Sequence, residues 1–126
     1  MTGPSRVAAA PAQACHITPT VELLFSRWTT PILWLLQTDG ARRFVELQRS
    51  LDGITAKTLT ERLRQLERDG LVTRQYYAEV PPRVEYEITD LGRSLAPVFA
   101  ALATWTDEHL PDVERARADY TGPLPR

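Results

Sequence analysis

The sequence predicts a mainly α fold with a small β-wing, and three observations carry that expectation. Two amphipathic segments, Phe44 to Leu51 and Ala56 to Asp69, are separated by a short break containing Gly53. After Gly70 the hydrophobic period changes from helical to alternating. Apolar residues at helical spacing flank this centre on both sides. The chain has 126 residues, which is room for one domain. With 43% hydrophobic and 25% charged residues, its composition is that of a soluble globular protein. The longest apolar stretch, Pro31 to Leu36, falls well short of the ~18 residues that a membrane span needs. A single Cys excludes a disulfide within the chain and a multi-thiolate zinc site, which suits a reducing cytosol and a cytoplasmic location.

Val7 to Ala14 is small and apolar but broken by Pro11 and Gln13, a poor core for a signal peptide. Residues 1–15 therefore read as a disordered N-terminal tail. The first helix is expected at Thr18-Pro19, a cap followed by Pro at the first helical position, with Val21, Leu24 and Phe25 on one side. Thr30-Pro31 repeats that signal for a second helix running to Gln37, apolar almost all round and hence buried on most sides. Phe44, Leu47 and Leu51 mark a short third helix. Asp52-Gly53-Ile54 is a tight break, and Thr55 caps a longer helix whose inward stripe is Leu59, Leu63 and Leu66. Gly70 is the natural stop. Two helices joined by such a turn make a helix-turn-helix.

Leu71 to Tyr77 is rich in β-branched and aromatic residues, and Val84, Tyr86 and Ile88 alternate with Glu85, Glu87 and Thr89. The intervening Ala78 to Arg83, with Pro81-Pro82, is too long and stiff for a two-residue hairpin turn. It reads as a wing, so the architecture is a winged helix-turn-helix. A long last helix is expected from Asp90 through Leu91, Leu95, Val98, Phe99, Leu102 and Trp105, bent at Pro97. The expected organisation is a DNA-binding domain with dimerisation helices over residues 16–110 and a C-terminal tail over 111–126.

The net charge of −1 conceals a dipolar chain. Residues 42–74 carry eight basic against five acidic groups, and residues 75–126 carry five against nine. Binding follows the local potential, so a basic middle is compatible with nucleic acid. Fourteen of the fifteen cations are Arg, which suits forked contacts to phosphate. No phosphate loop, metal-ligand spacing or nucleophile constellation is present, so no enzyme, cofactor or metal is expected.

Arg42-Arg43-Phe44-Val45-Glu46-Leu47, the run from Gly53 to Leu63, and Leu66-Glu67-Arg68-Asp69-Gly70-Leu71-Val72 resemble the HxlR-type winged helix-turn-helix regulators. Glu79 to Tyr86 and Thr89-Asp90-Leu91-Gly92-Arg93 resemble the wing and following helix of that family. The resemblance spans roughly residues 15 to 110 and implies a dimeric bacterial transcription regulator. Two departures stand out: Cys15-His16 where such proteins often have Cys-Pro, and Ser26-Arg27-Trp28 where they often have Gly-Lys-Trp.

At 100° per residue, the side of the 55–69 recognition helix opposite its Leu stripe holds Lys57, Glu61, Arg64 and Arg68. Such a helix fits the major groove and enters with its N-terminal end, so Thr55, Lys57, Thr58 and Glu61 are the candidates for base edges. Arg62, Arg64 and Arg68 are placed for phosphates. The competing reading is a solvated face whose Glu61 and Glu67 pair with cations three or four residues away. Arg42 and Arg43, just before a helix start, are candidates for a backbone clamp. Arg83, at the end of the 78–83 wing, either reaches the minor groove or its phosphates or pairs with Glu79 or Glu85.

Phe99, Leu102 and Trp105 are expected to lie exposed on a monomer, which predicts a homodimer, with Phe25 joining the same contact. Recognition helices related by a twofold axis read half-sites about 34 Å apart or a multiple, hence an inverted-repeat operator on double-stranded DNA. The functional expectation is a sequence-specific repressor. The alternative is a winged-helix protein-interaction module that binds no DNA. Cys15 is either an oxidant or electrophile sensor or an inert thiol. Trp28, Trp34 and Trp105 either line a small-molecule effector pocket or pack in the core.

Overall fold

The computed structural model describes residues 15–124, so all but the last residue of the expected 1–15 tail lies outside the described residues. Helix α1 spans Thr18–Leu24 and α2 spans Thr29–Asp39. The short strand β1 (Arg42–Arg43) leads directly into α3 (Phe44–Ser50). Helix α4 (Ala56–Arg68) is followed by the hairpin β2 (Val72–Tyr77) and β3 (Arg83–Ile88). Helices α5 (Asp90–Arg93) and α6 (Ala96–Asp119) complete the chain. The sheet is antiparallel, in the order β1-β3-β2.

The two helices of the central motif form where the sequence places them. Thr55 caps α4, its hydroxyl accepting the Thr58 N–H at 3.1 Å. At the far end Leu71 N–H donates to Leu66 O and Gly70 N–H to Glu67 O, the paired bonds of a Schellman ending, with Gly70 at φ +79°. Gly53 takes φ +87° in the turn between α3 and α4. One apolar core joins Leu59, Leu63 and Leu66 of α4 to Leu47, to Ile32, Leu33 and Leu36 of α2, and to Val72 and Ile88 of the hairpin. That core fixes the rotation of α4.

Four expectations are corrected. Helix α2 begins at Thr29, two residues before Pro31, because Ser26 Oγ accepts the Thr29 N–H at 3.2 Å and supplies the starting bond. It is not buried all round, since Trp34 is exposed on one side. The last helix is two helices. Thr89 caps α5 through Gly92 N–H, and α6 starts afresh with Pro97 in its first turn, where a missing N–H costs nothing. Pro97 therefore begins a helix and bends none. Finally, α6 continues through Pro111 to Asp119, so most of the expected 111–126 tail is helical. No helix among the described residues is long and apolar enough to cross a membrane.

Candidate nucleic-acid interface

With Leu59, Leu63 and Leu66 buried against the core, the opposite side of α4 faces solvent. Lys57, Glu61, Arg64 and Arg68 are all exposed there, and Thr55 is exposed at the N-terminal end. Thr58 and Arg62 are half-buried. Among the described residues Lys57, Glu61 and Arg64 form no ion pair, and Arg68 reaches only Asp69, at 3.6 Å. The pairing along the helix that would mark a merely solvated face is thus absent. Glu67 instead crosses to the hairpin, its Oε2 3.8 Å from Nε of Arg74. Thr55 Oγ1 also donates to Thr58 Oγ1 at 3.0 Å, so these two hydroxyls are partly committed to the cap.

Arg42 and Arg43 do not sit in a turn. They form β1, with Arg42 paired in register to Tyr86 and Arg43 to Glu85. Arg42 lies 3.5 Å from Asp39, and the Arg43 N–H donates to Glu46 Oε1 at 2.8 Å, so a carboxylate already occupies the start of α3. The strand was illegible because two residues are too few to show alternation, and its existence depends on β3 arriving from forty residues away. Arg43 remains exposed and Arg42 half-exposed.

Arg83 takes the paired arrangement. Its guanidinium is 3.1 Å from Glu79 and 3.4 Å from Glu85, and it stacks over the Tyr77 ring at 4.2 Å. These contacts brace the base of the wing and hold the charge back from its tip. The structure also brings Arg74 and Tyr86 beside Arg64, a grouping that no spacing in the sequence reveals.

The apolar seam is altered in one member. Phe99 is 2% exposed, a core residue that meets Trp34 edge-on at 6.2 Å, because α6 lies across α2 at this point. Leu102 and Trp105 on α6 and Phe25 beyond α1 are exposed, and Val21, Trp34 and Val98 are exposed with them. Trp34 and Leu102 line one shallow apolar groove with Pro31 and Phe99.

Cys15 is exposed, just before α1. Hydrogen bonding lowers its thiol pKa, first from the Thr18 side chain and then from the Ile17 backbone, so thiolate is more abundant than for an ordinary Cys. No group of three or more His, Cys, Asp or Glu among the described residues is placed to hold a metal ion.

The profile of the family described as HxlR-like helix-turn-helix matches residues 23–114. The chain is 35% identical over 106 residues to YdeP of Bacillus subtilis, described as an uncharacterized HTH-type transcriptional regulator, covering 84% of this chain and 82% of that one. Among solved structures, the reduced redox regulator HypR superposes with a TM-score of 0.74 at 34% identity, covering 79% of this chain and 98% of that one. The reduced form of the transcriptional regulator YodB from B. subtilis gives 0.68 at 34% identity, covering 80% and 94%.

Proposed function

This chain belongs to the HxlR-like helix-turn-helix family, and from that membership we propose that it is a homodimeric, sequence-specific DNA-binding repressor. The carrying observation is the outward side of α4, where Lys57, Glu61, Arg64 and Arg68 stand exposed over a buried Leu stripe. Thr55, Lys57, Thr58 and Glu61 meet base edges in the major groove, while Arg62 and Arg64 take phosphates beside it. Arg42 and Arg43 contact backbone from the β1 edge. Arg83 shapes the wing that lies against the minor groove. The functional unit runs from residue 16 to the end of α6.

The exposure of Phe25, Leu102 and Trp105 supports the dimer, since large apolar side chains left in solvent on a small chain call for a partner. The partner that fits is a second copy, which places the two α4 helices on an inverted repeat. The test compares duplex from upstream of the protein's own gene with a random duplex of equal length at equal salt, by fluorescence anisotropy. Tight, selective binding is expected. Equal affinity for both at every salt concentration refutes a sequence-specific regulator, and no binding to either duplex favours a protein-interaction module.

A second reading, favoured by the lowered Cys15 pKa, makes the regulator thiol-responsive. Two Cys15 thiols, or one with a small thiol, give a disulfide while two protons and two electrons pass to an oxidant such as diamide, which leaves as its hydrazine. Loss of DNA binding on diamide treatment in the native protein, with none in Cys15→Ala, is the expected outcome. An identical response in both removes this reading.

A further inference from the structure

Between α4 and the hairpin lies a polar cleft of about 200 Å³, lined by Thr60, Arg64, Glu67, Arg74 and Tyr86. Its origin is in the strand register. Val72 pairs with Ile88, and both are buried in the core. Two residues along each strand, on the same face, the pair is Arg74 and Tyr86. The core-facing side of the hairpin thus turns polar where it meets α4. Glu67 offsets one of the two guanidiniums through Arg74, and Arg64 forms no ion pair among the described residues, which leaves the cleft with a net positive charge. Burial raises the Tyr86 pKa, with Arg74 and Arg64 opposing and Glu67 adding to it, so the phenol stays a protonated donor at neutral pH.

The cleft borders the recognition face. Arg64 follows Lys57 by seven residues and therefore lies within about 20° of it around the helix, while Thr60 and Glu67 lie further toward the hairpin. With α4 docked in the major groove, a DNA strand on the hairpin side would pass over this opening.

We propose that the cleft is a phosphate seat that receives one backbone phosphate of bound duplex DNA, with Arg64 and Arg74 as forked cationic donors and the Tyr86 hydroxyl as a neutral donor. The proposal rests on the DNA-binding reading above and adds Arg74 and Tyr86 to it. Glu67 has a defined part: it holds Arg74 when DNA is absent and competes with the phosphate for it.

The test measures binding of the full chain to a fluorescein-labelled random duplex across a KCl series. Arg74→Gln is expected to reduce the slope of log K against log salt by about 0.9, one phosphate contact. Arg74→Lys keeps the charge and so the slope. Tyr86→Phe weakens binding about tenfold at unchanged slope. Glu67→Gln strengthens binding in the native chain but not beside Arg74→Gln, whereas general charge repulsion by Glu67 would give the same gain in both. Unchanged slope and affinity in Arg74→Gln, with Lys57→Ala still weakening the duplex, overturns the phosphate seat and leaves the DNA-binding reading standing. A native chain that binds no duplex overturns both. Replacing chloride by inorganic phosphate at equal ionic strength separates the sources. Competition with the duplex supports the seat, whereas shifts of the Arg64 and Arg74 side-chain NMR signals without any change in duplex affinity assign it to a free anion and overturn it.

Discussion

Leu63 and Lys57 sit on opposite sides of α4, and truncating each to Ala separates what anchors the helix from what the helix presents. Leu63 is 1% exposed inside the core that joins α4 to α2 and the hairpin. Leu63→Ala removes about three carbon groups at ~0.8 kcal/mol each, some 2.4 kcal/mol of transfer free energy. The surrounding Leu and Ile side chains cannot fully collapse into the gap, which brings the expected loss to about 3–4 kcal/mol. That is a large share of the ~5–15 kcal/mol available to a domain of this kind. Lys57 is exposed and forms no ion pair among the described residues, so Lys57→Ala is expected to change stability by no more than ~0.5 kcal/mol while weakening duplex binding. The assay is urea unfolding followed by tryptophan fluorescence and circular dichroism, at one fixed protomer concentration because the proposed dimerisation would shift the midpoint. A Leu63→Ala loss within ~0.5 kcal/mol of zero, or a Lys57→Ala loss matching that of Leu63→Ala, refutes the assigned rotation of α4.

The remaining predictions concern other parts of the molecule. At Gly92 an added Cβ would come within 2.5 Å of an Ile88 side-chain carbon and 2.6 Å of Leu71 O. Gly92→Ala should therefore push α5 off the hairpin and cost about 1–3 kcal/mol by the same unfolding assay. Leu102→Asp puts a charge on exposed apolar surface and should shift the proposed dimer to monomer in sedimentation velocity, with little effect on the secondary structure of α6; an unchanged dimer would place the interface elsewhere. The lowered Cys15 pKa predicts alkylation by iodoacetamide that reaches its plateau at lower pH than a model thiol, and Thr18→Val should move the profile back up. For Tyr86 the folded pKa is raised, so folding binds its proton more tightly. This contribution is complete below the unfolded value of about 10 and is lost as pH rises through the folded one; unfolding midpoints should fall over that interval in the native chain and less in Tyr86→Phe.

By itself the sequence determined the central motif, because each of its signals is local. A Thr cap, a Gly stop and a Leu at every third or fourth residue act within one turn of helix, so α3, the turn, α4 and the alternation in β3 were all legible. The direction in which Lys57 points followed from the Leu stripe alone, since burying one side of a helix presents the other. What only the tertiary structure decided depends on partners distant in the chain. Arg42 and Arg43 become a strand because β3 lies beside them, and Arg83 turns to Glu79, Glu85 and Tyr77 because the hairpin register brings them together. Phe99 passed from the expected seam to the core because periodicity shows that a helix has an apolar side but not how much of it a neighbouring helix covers. The cleft of Arg64, Arg74 and Tyr86 belongs wholly to this second kind. It draws on one helix and two strands, and contacts across such separations are set by packing, which leaves no period in the sequence to read.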